Sequence, residues 1–196
     1  MFKAATDYTG YIEEMLVCQN STEIMRRLAV NYILQKMEFR TEADVTYCRA
    51  EHTGDKKGRR MVYGRIESDK ECVIFEPVFY RINPNIQTEL ELEQYIDDRI
   101  IFLPKMFKKM IGNSDKRRVL VLVVEDRDCI KKAYQRYEQV VKDCDLVYIT
   151  SEAMVRAGIK MSLKVAPFLK IFKDPNREGN VKLTAVTPPF MYRNKQ

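Results

Sequence analysis

VLVLVVED, residues 119–126, is an apolar run of six residues that ends in two acids. A continuous apolar run without polar alternation is typical of a central strand that is covered on both faces of a sheet. LVYIT (146–150) is a second such run, and the amphipathic pattern of 127–142 between them predicts a helix. A strand, a helix and a strand over this length predict a parallel pair with a right-handed crossover.

The segment before this unit predicts a helix and then a group of strands. Asn20 and Glu23 have the spacing of a reciprocal cap for a helix at 21–37. The residues expected on the buried side of this helix recur at helical spacing: Ile24, Leu28, Tyr32 and Met37, backed by Met25 and Ile33. Strands are predicted at 41–51, 60–67 and 71–82. A short polar turn joins the last two, so they are expected to form a hairpin.

Pro77 lies inside the third of these strands. Because proline has no amide hydrogen to donate, we expect this strand at a sheet edge or with a bulge at Pro77. Thr88 is expected to cap the next helix, with Glu91 at the reciprocal position. The order of elements therefore predicts an α/β (α+β) protein, with a mixed β-sheet and flanking helices.

The last quarter of the chain predicts smaller elements. Thr150 or Ser151 is expected to cap a short helix that ends at Gly158. Strands are predicted at 160–172 and 181–187, and the tail PPFMYRNKQ (188–196) is expected to be irregular. We predict an α/β core domain with N-terminal helices at 1–150, and a basic C-terminal extension at 151–196 that packs on the same domain.

The positive charge is distributed unevenly along the chain. The net charge is +6, but residues 1–150 hold 25 basic and 25 acidic side chains. Residues 151–196 hold nine basic and three acidic side chains, and so carry the whole excess. Such asymmetry favours a region that faces a polyanion, and the alternative is a solvated, lysine-rich surface.

Composition also restricts the compartment and the chemistry. The five cysteines include no CxxC pair, which argues against structural zinc and favours a reducing, cytoplasmic location. No apolar run approaches the roughly 20 residues that span a bilayer, so no membrane association is expected. The chain has one histidine, His52, and lacks the P-loop, dinucleotide-binding and nucleophile-elbow motifs. We therefore expect no cofactor, and favour a protein without catalytic activity.

The first six elements from residue 21 run helix, three strands, helix, strand. This order resembles the αβββαβ core of the restriction-endonuclease-like, or PD-(D/E)xK, superfamily. The resemblance implies an acid at the second core strand, a (D/E)xK triplet in the third, and a divalent metal that activates water. Glu76 is the triplet's acid, but Val78 occupies the lysine position. If the protein is a nuclease, Glu67, Asp69 and Glu76 would hold Mg²⁺.

Three segments also resemble the α/β domain of replication-relaxation-type proteins of bacterial mobile elements. These segments are CVIFEPVFYRI, RVLVLVVED and LVYIT, within about 60–150. Those families couple a winged-helix DNA-binding module to such a domain, and the resemblance implies association with nucleic acid. No clear winged helix precedes the segments in this sequence.

These observations favour a non-catalytic accessory protein that associates with nucleic acid and has a degenerate nuclease-like core. A mobile element is the candidate origin of the protein. Basic residues near aromatic residues suit contact with phosphates and bases. The predicted nucleic-acid-binding residues are Lys56, Lys57, Arg59, Arg60, Lys160, Lys164, Lys170 and Lys173. A metal-dependent nuclease and a protein-interaction scaffold are the two alternatives, and the sequence does not indicate an oligomeric state.

Overall fold

The computed structural model of the protein describes residues 21–36, 44–52, 60–78, 87–91, 93–95, 115–125, 144–161, 166–173 and 181–191. The elements with defined bounds are α1 (Ser21–Lys36), β1 (Asp44–His52), β2 (Arg60–Glu67), β3 (Glu71–Val78), β4 (Arg117–Val124), β5 (Leu146–Thr150), α2 (Glu152–Lys160), β6 (Phe168–Lys173), β7 (Val181–Val186) and a 3₁₀ turn (Pro189–Met191). Helical residues are also present at 89–91 and 93–95.

The strands form one seven-stranded mixed sheet in the order in which they occur in the chain. β1, β2 and β3 pair antiparallel, β3, β4 and β5 pair parallel, and β5, β6 and β7 pair antiparallel. The predicted α/β class with a mixed sheet is confirmed. So are the central position of β4, its parallel pairing with β5, and the hairpin of β2 and β3.

Side-chain alternation divides the central strands between two buried faces. One face, here called the helix face, carries Val73, Phe75, Val121 and Tyr148 and packs in one hydrophobic cluster with side chains of α1 and α2. The other face carries Ile74 and Leu122, which are also buried. Solvent therefore reaches neither face of β4, as its continuous apolar run predicts.

Four aromatic rings pack edge to face within the cluster. Phe190 of the 3₁₀ turn contacts Phe75, Tyr148 and Phe168, with ring centroids 5.9–6.2 Å apart. This geometry is the favourable one for aromatic pairs. The tail was expected to be irregular from residue 188, but its first residues form a turn that places Phe190 in the core.

The buried side of α1 differs in part from the expected one. Leu28 is 41% exposed, whereas Val30, Ile33 and Leu34 pack in the core. The reason is Gly64 in β2, where a Cβ atom would lie only 2.7 Å from both Leu34 Cδ1 and Val30 Cγ1. The missing side chain at Gly64 lets this side of α1 approach the sheet. The expected buried side is therefore right only in part: Ile33 lies in the core and Ile24 and Tyr32 are half-buried, whereas Met25 and Leu28 are exposed. Met37 lies outside the described residues.

Arg26 links α1 to the helical residues at 93–95. Its guanidinium donates a hydrogen bond to the Tyr95 hydroxyl and lies over the Tyr95 ring, 5.2 Å from the centroid. Arg26 is buried. Such stacking with a hydrogen bond is one way in which a buried arginine is accommodated.

Pro77 does not lie at a sheet edge, because β3 is an interior strand between β2 and β4. Its register with β4 is continuous from Glu71 to Val78. The antiparallel pairing with β2 ends where Gly64 faces Phe75, so Pro77 lies beyond it. The proline is tolerated because it occupies a part of β3 where the ladder with β2 has ended.

Two of the predicted helix caps are confirmed, whereas the cap predicted at Asn20 lies outside the described residues. Glu91 N–H donates to Thr88 Oγ1 at 3.2 Å, and Thr88 N–H donates to Glu91 Oε2 at 2.8 Å, which is the predicted reciprocal cap. Met154 N–H donates to Ser151 Oγ at 3.2 Å, so Ser151 caps α2. However, α2 continues past Gly158, and β6 begins at Phe168 rather than at 160.

Replacing Gly64 with alanine tests the contact between α1 and the sheet. We expect Gly64→Ala to lower the free energy of unfolding by about 1–3 kcal/mol, because the added methyl group overpacks the site. Leu28→Ala, on the exposed side of α1, should stay within about 0.5 kcal/mol of wild type. Urea unfolding of both variants gives the comparison. If Gly64→Ala were as stable as wild type and Leu28→Ala were destabilised, the side of α1 that carries Leu28 would be the buried one, which would contradict this packing of α1 on the sheet.

Candidate nucleic-acid interface

The first candidate site is a group of charged residues at one end of the sheet, where β2 ends and β3 and β4 begin. The turn between β2 and β3 is closed by Ser68, whose amide donates to the Glu71 carbonyl at 2.9 Å. The parallel register places Arg117 beside Glu71. We call residues 65–71 and 116–118 together with Asp145 the charged edge.

Each of the three successive cations at 116–118 contacts a carboxylate. Lys116 Nζ donates to Glu67 Oε1 at 2.7 Å, and Arg65 also bonds Glu67. The side chain of Arg117 donates to Glu71 Oε2 at 3.0 Å. The Arg118 amide donates to Asp145 Oδ2 at 2.7 Å, and its guanidinium is 3.4 Å from Asp145 Oδ1. These pairs tie the hairpin to β4, and β4 to the start of β5.

Two of these carboxyls have lowered pKa values. The hydrogen bond from Lys116 holds the pKa of Glu67 below its usual value, with a further contribution from Arg65, against partial desolvation. Partial burial raises the pKa of Asp145, but the hydrogen bonds from the Arg118 amide and side chain outweigh it, so this pKa is also lowered. Both carboxylates are therefore charged at neutral pH and balance the cations beside them.

The register does not bring the three nuclease-candidate acids together. Glu67 lies opposite Cys72 in the β2–β3 pair, and Asp69 is exposed in the turn. Glu76 is fully buried inside β3. It lies four residues beyond Cys72, a separation of about 13 Å along the strand. Across the described ranges, no group of three or more histidine, cysteine or acidic side chains is arranged to hold a metal ion.

Four of the eight predicted nucleic-acid-binding residues fall in the described part of the chain, and the side chains of two of these are described. Lys56, Lys57, Arg59 and Lys164 lie outside the described residues. Arg60 and Lys173 are placed only as backbone positions in β2 and β6. Lys160 is exposed at the end of α2, and Lys170 is half-buried on β6, opposite Thr184 of β7.

The packing of α1 against α2 creates a second basic surface. The Arg156 guanidinium lies over the Tyr32 ring, 5.8 Å from the centroid, and Lys36 Nζ lies 6.0 Å from it. Lys160 follows Arg156 by four residues, which places it on the same side of α2. We call Tyr32, Lys36, Arg156 and Lys160 the α1–α2 basic face.

The sequence placed Tyr32 in the core and so missed this surface. Tyr32 is half-buried and contacts the hydrophobic cluster with part of its side chain. The missed signal is the i,i+4 spacing of Tyr32 and Lys36 in α1, matched by Arg156 and Lys160 in α2. Because the two helices are more than 100 residues apart in the chain, only their packing brings these pairs together.

Comparison of the chain with protein-family models, curated proteins and solved structures finds no match. Among the described residues, no helix is long and apolar enough to cross a membrane.

The ion pairs of the charged edge predict a dependence of stability on pH. A carboxyl group whose pKa is lowered on folding stabilises the folded state at pH values above its ordinary pKa, which is 4.5 for Glu67. This contribution is lost as the pH falls through the pKa of the folded state. Glu67→Gln should therefore lower the free energy of unfolding at pH 7, by less than about 1 kcal/mol for this partly exposed pair. The difference from wild type should shrink as the pH falls below 4.5.

Urea unfolding at pH 7 and at successively lower pH measures this difference. Asp69→Asn, in the exposed turn next to Glu67, is the matched control and should differ little from wild type at either pH. Equal effects of the two substitutions would contradict the stabilising role of the Glu67–Lys116 pair.

Proposed function

We propose that this protein is a non-catalytic accessory protein that binds nucleic acid, built on a degenerate restriction-endonuclease-like core and belonging to a mobile element. The observation that carries the proposal is the excess of nine basic over three acidic residues in 151–196. Arg156, Lys160 and Lys182, the three whose side chains are exposed in the described part of this segment, lie on α2 and β7.

Coulombic attraction is the reason why an excess of positive charge in one part of the chain favours a polyanionic partner. Cations that contact phosphates release condensed counterions, which supplies most of the affinity in sequence-independent binding. The first 150 residues are balanced in charge, so the attraction to a polyanion has to come from the last quarter or from local clusters. The cations at 116–118 are locally balanced by Glu67, Glu71 and Asp145, and contribute less to such an attraction.

The order and directions of the elements support the choice of core. The αβββαβ order is followed by α1, three antiparallel strands, the helical residues at 89–91 and 93–95, and the parallel strand β4. Val78, a buried residue at the end of β3, occupies the lysine position of the (D/E)xK triplet. Without an ammonium group at that position the triplet is incomplete, and this favours binding without cleavage.

Salt-dependent binding tests the proposal. Fluorescence anisotropy with a short labelled duplex and a labelled single strand, at two salt concentrations, should show affinity that falls steeply with salt. Replacing Lys56, Lys57, Arg59 and Arg60 with alanine should weaken binding similarly for all sequences. It should also flatten the slope of log K against log salt by about 0.9 for each duplex phosphate that is no longer neutralised.

Two outcomes would replace the proposal with an alternative. No detectable binding to either probe at low salt would leave a protein-interaction scaffold. Cleavage of the probes that depends on Mg²⁺, and that is abolished in Glu76→Gln, would identify a metal-dependent nuclease. Asp69→Asn and Glu67→Gln, tested in the same assay, would show whether the acids of the charged edge take part.

A further inference from the structure

Two groups of basic side chains differ in their partners. At the charged edge, Lys116, Arg117 and Arg118 each contact a carboxylate. On the α1–α2 basic face, Lys36 and Lys160 have no acidic partner within the described part of the chain. A cation that is already held by a carboxylate must break that pair before it can bind a phosphate. The second set is therefore better prepared to bind a polyanion.

Arg156 occupies an intermediate position between the two sets. It forms an ion pair with Glu152, one turn earlier in α2, and its side chain remains 65% exposed. Exposed pairs of this kind contribute little, and a phosphate competes with them readily. The face as a whole carries three cations against one acid, which leaves a local excess of two positive charges.

Tyr32 contacts two of these three cations, Arg156 and Lys36. Both Arg156 and Lys36 lie within 6.0 Å of the centre of its ring. The negative face of an aromatic ring attracts a cation, so Tyr32 holds two like charges near each other on neighbouring helices. A bound phosphate relieves the repulsion between them, because it places negative charge beside both.

We propose that the α1–α2 basic face binds the phosphate backbone of nucleic acid, and that Tyr32 positions its cations instead of stacking on a base. This inference rests on the proposed function and assigns it a surface. Because Tyr32 is half-buried and two cations already lie over its ring, the ring is poorly placed to receive a base. Backbone contacts carry no sequence information, so binding at this face is expected to tolerate any sequence.

The double variant Lys36→Ala/Lys160→Ala tests the surface. Both side chains are exposed, so the melting temperature should stay close to that of wild type, and circular dichroism verifies this. In the anisotropy assay with a labelled duplex, the slope of log K against log salt should become shallower by about 1.8, which corresponds to two phosphates that are no longer neutralised.

The matched control is Lys70→Ala/Arg117→Ala, which removes the same charge from two exposed positions of the charged edge, where Arg117 is already paired with Glu71. It should change the slope by much less than the first double variant. Equal changes of slope in the two variants would mean that only net charge matters, and would overturn the assignment of this face.

Tyr32→Leu separates cation positioning from base stacking. We expect it to weaken binding to the duplex and to the single strand by similar factors, because it disturbs the cations that both probes use. Weakening confined to the single strand would mean that a base stacks on the ring, and would overturn the positioning role.

The failure of this inference is distinguishable from the failure of the proposed function. A wild-type protein that binds neither probe refutes the proposed function. A wild-type protein that binds normally, together with a Lys36→Ala/Lys160→Ala protein that binds equally well with the same salt slope, refutes only the assignment of the α1–α2 basic face.

Discussion

β4 pairs in parallel with β3 on one side and β5 on the other, and neither of its faces meets solvent. A charged side chain in the middle of such a strand would be desolvated at a high free-energy cost. The six residues from 119 to 124 are accordingly all apolar, and the charges begin where the strand leaves the interior. The charged edge exists because 116–118, at the start of β4, is where lysine and arginine side chains reach water.

The same constraint separates the two sets of basic residues. At the charged edge, the register of β3 with β4 and the start of β5 bring carboxylates beside the cations, so these charges stabilise the junction of the strands. On the helix face, α1 and α2 cover the apolar side chains of the sheet and turn Lys36, Arg156 and Lys160 outward. The cations of the charged edge are therefore paired within the protein, whereas those of the α1–α2 basic face are available to an external partner.

The sequence predicted those parts of the fold that depend on local pattern. The apolar runs of β4 and β5, the β2–β3 hairpin and the Thr88–Glu91 cap follow from residues within a few positions of one another. The buried side of α1 followed only in part, because it depends on the absence of a side chain at Gly64, a distant position in the chain. Phe190 was missed for a related reason, since two aromatic residues in a short proline-containing tail show no periodicity.

The candidate site was less predictable than the fold. The pairing of Glu67 with Lys116 joins residues 49 positions apart, and it requires the register of three strands. The α1–α2 basic face joins residues of the first helix and of the last quarter of the chain. Spacing along the chain identifies which residues share a side of one helix, but the packing of two helices against a sheet decides which of those sides meet.

Hydrogen–deuterium exchange tests the central claim, that β4 is the buried centre of the sheet, most directly. Under native conditions, the amides of residues 119–123 should exchange only through global unfolding, while those of 182–186 on the last strand should exchange through smaller openings. The opening free energies should therefore be highest in β4 and clearly lower in β7. Exchange of the β4 amides as fast as that of the β7 amides would contradict this account of the fold.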